Sequence, residues 1–287
     1  MSTRLATVLL VLVTVVWGWT FVIVHDAVAL YSVMGFLALR FSLAAIATGL
    51  FWGRYLNRRT LGVGICIGLV LATGYLLQTW GLIFTTPTNA GLITGLFVVL
   101  APIFDRMIYH TKLHTSAWLA VAMSVAGMIL LTGKLPTNFA FGDILILGCA
   151  VAFGVHIAVL SRHSSEHDPR ALTTAQMIGL AVLFLVLWPI TGEITAPPRE
   201  VWFALALTGL VASALAYAIQ TAAQQVLSAV RTAVILTLEP VFAGFFGIWL
   251  AHDRLGPSQL LGAVVILAAV LLSELMPAII RKRAKSQ

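Results

Sequence analysis

Charge is what this sequence has least of. Only 9% of its 287 residues are Asp, Glu, Lys or Arg, against 60% hydrophobic, and the mean hydropathy is +1.02. That leaves too few polar side chains to cover a water-soluble domain of this length. Cysteine is almost missing: Cys66 and Cys149 both lie in apolar stretches, so no disulfide framework is indicated and the redox compartment stays open. No Gly-x-x-x-x-Gly-Lys-[Ser/Thr] phosphate cradle, His-Glu-x-x-His or Gly-x-Ser-x-Gly occurs, which removes the motifs for direct use of ATP and for intramembrane proteolysis. No group of His, Cys and carboxylate has metal-ligand spacing, so no metal, no cofactor and no enzymatic activity are expected. The net charge of +7 comes from 17 Lys and Arg, which are too scattered to form the continuous basic face that nucleic acid requires.

What the sequence does have is long apolar runs. A bilayer's hydrocarbon core takes about 20 apolar residues per helical crossing. Ten stretches fit, at 5–24, 32–51, 61–84, 88–107, 116–132, 143–160, 173–191, 201–222, 231–250 and 258–280. The first ends near Ala27-Val28-Ala29, which imitates a leader cleavage site. Its length and its Trp17-Gly18-Trp19-Thr20 segment read instead as a retained crossing. The gaps between runs are short, so they hold no folded module and the chain's work is expected inside the bilayer.

Numbering the gaps alternately from a cytoplasmic N-terminus places thirteen Lys and Arg on one side, among them Arg54, Arg58, Arg59, Arg162, Arg170 and Arg231. Only Lys134, Arg199 and Arg254 fall on the other, and Arg40 lies inside a run. Cytoplasmic loops retain basic residues, so this split predicts ten crossings with both termini cytoplasmic.

Sliding the chain by 142 residues superimposes its halves from the third run through the fifth. Tyr75-x-x-Gln78-Thr79 falls on Tyr217-x-x-Gln220-Thr221, Ile93 on Ile235 and Leu96 on Leu238. Five crossings per half is an odd number, so the second copy enters the membrane from the opposite side. The expected fold is therefore an all-α polytopic membrane protein of ten transmembrane helices in two inverted five-helix repeats, residues 1–137 and 138–287. Inverted repeats are the architecture of alternating access, with a solute site where the halves meet. This reading predicts a transporter of a small-molecule substrate that works in a lipid bilayer as a monomer.

Several motifs resemble the EamA family of the drug/metabolite transporter superfamily. They are Trp17-Gly18-x-x-Phe21, Asn89-Ala90-Gly91-Leu92-Ile93-Thr94, Pro102, and Arg231-Thr232-Ala233 leading to Leu238-Glu239-Pro240-Val241-Phe242. The resemblance covers essentially the whole chain. It implies ten helices around a central cavity and export or exchange of small metabolites. The chain looks most like the exporters of aromatic amino acids in the bacterial inner membrane. One departure is His252-Asp253-Arg254, where the family often has Gly-Glu; the first half reads Tyr109-His110-Thr111-Lys112 with no acid.

The candidate cavity residues are Trp17, Tyr75, Gln78, Thr79, Asn89, Thr94, His156, Tyr217, Gln220 and Thr221. Tyr75, Gln78 and Thr79 share one helical face, as do their partners in the second half. The amides could line a pore or bond between packed helices. Arg40 and Glu239 are buried charges, which cost at least about 2.5 kcal/mol each at mid-membrane. They could pair structurally, or Glu239 could take a proton or a substrate ammonium and Arg40 a substrate carboxylate. His156 could pack or relay a proton. Glu239 with His156 could also serve as the acid/base pair of a lipid-modifying enzyme. Pro102 and Pro240 interrupt the fourth and ninth runs and could act as hinges, one turn apart under the 142 offset. The third, fourth, eighth and ninth helices are expected to line the cavity, with the first and sixth as moving walls.

Overall fold

The structure is a computed structural model that describes residues 1–85, 87–111, 115–132, 141–192, 194–251 and 256–284. His252, Asp253, Arg254, Lys112, Lys134, Lys285 and the expected repeat boundary at 137/138 lie outside the described residues. All regular structure among the described residues is helical. The elements are α1 (Thr3–Leu30), α2 (Val33–Trp52), α3 (Arg58–Gly81), α4 (Pro87–Thr94), α5 (Phe97–Tyr109), α6 (Thr115–Thr132), α7 (Phe141–His163), α8 (Pro169–Thr191), α9 (Val201–Ala206), α10 (Ala216–Ala223), α11 (Ala229–Leu236), α12 (Leu238–Ala251) and α13 (Pro257–Ala284). A π-helical segment, Leu207–Leu215, joins α9 to α10. Seven helical stretches are long and apolar enough to cross a membrane by length and composition, and Trp118–Leu130 and Leu260–Ala269 are shorter apolar helices. With α4 and α5 as one pass, and α11 and α12 as another, the described residues make the ten passes expected.

Polar residues start these helices. The side chains of Ser2, Ser32, Asn57, Asp168 and Ser228 accept bonds from backbone amides of the first turn, satisfying donors that have no carbonyl partner there. Pro169 follows Asp168 at the first helical position, where its missing N–H costs nothing. The bundle turns its large apolar side chains outward as well as inward. Leu12, Ile46, Leu50, Val182, Ile190 and Val264 are exposed, as lipid contact requires.

The packing is symmetric in a way that one offset does not capture. In the first two crossings of each half the correspondence runs at 136 residues. The caps Ser32 and Asp168 match, as do Gly18 and Gly154. From the third crossing on it runs at 142. The change falls in the connection before the third crossing of each half, 53–57 in the first and the longer 192–200 in the second. Both glycines do the same job. A Cβ on Gly18 would sit 2.8 Å from the Phe242 Cβ and the Ala243 nitrogen of α12, and one on Gly154 would sit 2.8 Å from the Leu100 Cβ and 3.2 Å from the Ala101 nitrogen of α5. Phe242 and Ala243 are the 142-residue counterparts of Leu100 and Ala101. Only glycine lets α1 and α7 approach so closely.

The fourth and ninth passes are each broken once. The fourth breaks at Gly95–Leu96, where Leu96 N–H donates to Ile93 at 3.1 Å and Val98 N–H to Gly95 at 3.1 Å. The ninth breaks at Thr237, whose N–H donates to Val234 at 3.2 Å. These tightened i to i−3 bonds replace α-helical ones. Gly95 and Thr237 are counterparts under the 142 offset, and each break lies upstream of the proline expected as a hinge, Pro102 or Pro240. Pro102 lies inside continuous α5. In the first half the poor helix former Gly95 sets the break. In the second, Pro240 leaves the Leu236 carbonyl without its N–H partner, and the break falls just upstream.

Candidate functional site

The two halves meet around a cavity of about 40 Å³, room for only a few waters. Its lining repeats across the halves. Trp17, Thr20 and Phe21 on α1 correspond to Phe153, His156 and Ile157 on α7; Tyr75 and Gln78 on α3 correspond to Tyr217 and Gln220 on α10; Phe97 on α5 corresponds to Glu239 on α12. The first and sixth passes, expected as moving walls that bring in Trp17 and His156, thus supply much of the aromatic lining. At the centre the Tyr217 hydroxyl donates to the Tyr75 hydroxyl at 2.9 Å, and Trp17 packs on Tyr217 with ring centroids 5.2 Å apart.

A polar framework holds these rings. The Trp17 indole N–H donates to the Ala212 carbonyl at 2.8 Å, and the Arg40 Nε–H donates to the Ser213 hydroxyl at 3.0 Å. Both acceptors sit in the π-helical segment, where the Ala216 N–H donates to the Val211 and Ser213 carbonyls and so leaves the Ala212 carbonyl, which an α-helix would occupy internally, to Trp17. The Arg40 guanidinium also stands 4.5 Å from the Tyr75 ring centroid, a cation–π contact strengthened by burial. His156 Nε2 is 2.8 Å from Gln176 Oε1, and Gln176 Nε2 donates to the Leu172 carbonyl at 3.3 Å and the Thr221 hydroxyl at 3.4 Å. Gln220 donates to Gln224 at 3.1 Å, and Gln224 to the Ile157 carbonyl at 2.9 Å and the Ser161 hydroxyl at 2.5 Å.

Of the candidates read from the sequence, Trp17, Tyr75, Gln78, His156, Tyr217, Gln220, Arg40 and Glu239 converge on this cavity. Thr79 and Thr221 are buried beside it without lining it. Thr94 is also buried and accepts a bond from Gln78 at 3.4 Å. Asn89 lies on α4, with its side chain outside the described residues. Arg40 and Glu239 do not form the structural pair that was one reading of them: the described ion pairs include neither residue. Sequence reasoning missed Thr20, Phe21, Val24, Phe153, Ile157 and Gln176 as parts of the site. The helical spacing of Trp17, Phe21 and Val24 was the available signal. For Phe153, Ile157 and Gln176 it was the 136-residue register, hidden by the change of offset.

The EamA-like transporter family matches this chain at residues 4–133 and again at 140–275, and the chain belongs to that family of membrane transporters. An uncharacterized transporter of Archaeoglobus fulgidus is 35% identical over 269 residues, covering 93% of this chain and 84% of its own. The uncharacterized transporter YoaV of Bacillus subtilis is 22% identical, over 91% of this chain and 94% of its own. A protein of known crystal structure superimposes with a TM-score of 0.77 at 18% identity, over 96% of this chain and 98% of that one. At that identity the match shows the fold alone.

Proposed function

We propose that the chain is a secondary-active exporter of small amphipathic metabolites, with aromatic or other neutral amino acids as the leading substrates, working by alternating access. It sits in the bacterial inner membrane as a monomer with both termini cytoplasmic. The repeats, 1–137 and 138–287, form the two walls. The observation that carries this reading is the cavity on the repeat interface, lined by counterpart aromatic rings and amides from both halves. A solute there touches both repeats, so a rocking of one against the other transfers it between faces. With about 40 Å³ of water-accessible space, the cavity takes an aromatic amino acid as the halves move apart. The paired breaks at Gly95–Leu96 and Thr237, beside the lining residues Phe97, Leu236 and Glu239, are where the fourth and ninth passes pivot.

Uptake of labelled phenylalanine and threonine into sealed proteoliposomes tests the reading. It predicts saturable flux above protein-free vesicles. If neither a panel of amino acids nor a set of lipophilic cations is moved, the reading fails. The lipophilic cation is the second reading, and the specific observation favouring it is the Glu239 carboxyl on the cavity wall, without an ion-pair partner among the described residues.

A further inference from the structure

The two charges in the cavity lie where the repeat symmetry is broken. Arg40 stands at the position of Gln176 in the second half, and Glu239 at the position of Phe97 in the first. Gln176 is engaged by His156 and the Leu172 carbonyl. Arg40 and Glu239 are engaged far less, although they are 3% and 8% exposed. The Arg40 Nε–H is spent on Ser213 and the stem is pinned over Tyr75. Its two terminal nitrogens have no hydrogen-bond partner among the described residues, and neither has the Glu239 carboxyl. None of these atoms is among the fully sealed polar atoms left unsatisfied, so they open on the cavity that both residues line.

Two opposite charges retained for structure would be expected at bonding distance, because contact is what offsets their desolvation. These two share a cavity and stay apart. A fixed guanidinium edge with two free N–H-bearing nitrogens matches the two oxygens of a carboxylate. A separate carboxylate on the wall of the same cavity matches an ammonium group.

We propose that the cavity recognises the zwitterionic head of an α-amino acid. The terminal nitrogens of Arg40 take the substrate carboxylate, Glu239 takes the α-ammonium, and the side chain lies among Trp17, Phe21 and Phe153. This deepens the transport reading and rests on it. The charge pattern supplies what the aromatic walls cannot: rejection of solutes that have the ring but only one of the two charges. A buried charge left facing such an analogue stays unpaired, which costs it at least about tenfold in affinity.

The test measures thermal stabilisation of the detergent-solubilised full chain by four probes: L-phenylalanine, phenethylamine, 3-phenylpropanoate and phenylalaninamide. Ligand that binds only the folded form raises the melting temperature, and concentration series place the affinities on one scale because stabilisation grows with the logarithm of concentration over Kd. The expected result is stabilisation by phenylalanine with every analogue at least about tenfold weaker. In Glu239→Gln the preference for phenylalanine over 3-phenylpropanoate disappears. In Arg40→Lys, which keeps the charge but loses the fork and the bond to Ser213, phenylalanine weakens while phenethylamine, which has no carboxylate, binds as it does to the unaltered chain. Phenethylamine or 3-phenylpropanoate binding as tightly as phenylalanine to the unaltered chain overturns the zwitterion assignment. If vesicles still move phenylalanine in that case, the transport reading survives. If no amino acid binds and none is moved, both fall.

Discussion

Tyr75 and Tyr217 occupy the same position in the two repeats and hydrogen-bond to each other across the centre of the bundle, hydroxyl to hydroxyl at 2.9 Å. A residue can touch its own counterpart only on the pseudo-twofold axis, so this bond marks the axis, and the cavity lies against it. Removing either hydroxyl separates the bond from the packing of the rings. Tyr75→Phe and Tyr217→Phe should each lower stability by about 1 kcal/mol, and the double variant should cost clearly less than the sum, because both remove the same bond. Denaturation in mild detergent checks this; strict additivity would mean that the hydroxyls act separately.

Gly18 and Gly154 should respond alike. Gly18→Ala and Gly154→Ala each push a methyl into backbone across a helix crossing and should destabilise by about 1–3 kcal/mol. Gly49→Ala, where nothing lies within 4 Å, is the control and should be neutral or slightly stabilising. Melting temperatures of the three variants decide it. A neutral Gly18→Ala would show that α1 does not approach α12 as closely as described.

Much of this was legible in the sequence. The ten apolar runs gave the passes, and Tyr-x-x-Gln-Thr gave the repeat, because polar residues at fixed spacing in apolar helices rarely coincide by chance. The half of the site built on the first and sixth passes was hidden. Trp17 and Phe153, or Thr20 and His156, share little chemistry, and the offset between them differs from that of the later helices. The breaks at Gly95 and Thr237 were hidden for another reason. Proline is a strong local signal, but a freed carbonyl shifts the break upstream, and a glycine can break a pass with no proline at the same place.

Restoring a backbone donor at the ninth pass should stiffen it. Pro240→Ala returns the N–H that the Leu236 carbonyl lacks, closing the ladder across Thr237. The expected outcome is an unchanged or raised melting temperature with transport slowed several-fold. Solute flux and thermal unfolding measured on the same preparation check it; unaltered flux would remove the break from the mechanism.

At the end of the bundle where α7 leads into α8, the Arg170 side chain donates to Asp168 at 2.8 Å, and this bond holds the Asp168 carboxyl below its ordinary value of 3.8. A depressed carboxyl contributes stability that is present above 3.8 and is lost as pH falls below it, through the folded-state value. Asp168→Asn keeps an acceptor for the helix cap and loses the charge, so its melting temperature should fall less steeply on acidification below pH 4 than that of the unaltered chain. Parallel profiles for the two proteins would mean that the pair contributes nothing measurable.

The most direct test of two-sided access uses Gln78 and Gln220, repeat counterparts that line the same cavity. With exposed Cys66 and buried Cys149 replaced by alanine, Gln78→Cys and Gln220→Cys are labelled separately by a membrane-impermeant thiol reagent in vesicles of defined sidedness. The account predicts that the two thiols react from opposite faces, and that adding phenylalanine raises the reactivity of one while lowering that of the other. Reaction of both from the same face, with phenylalanine shifting them together or not at all, would contradict it.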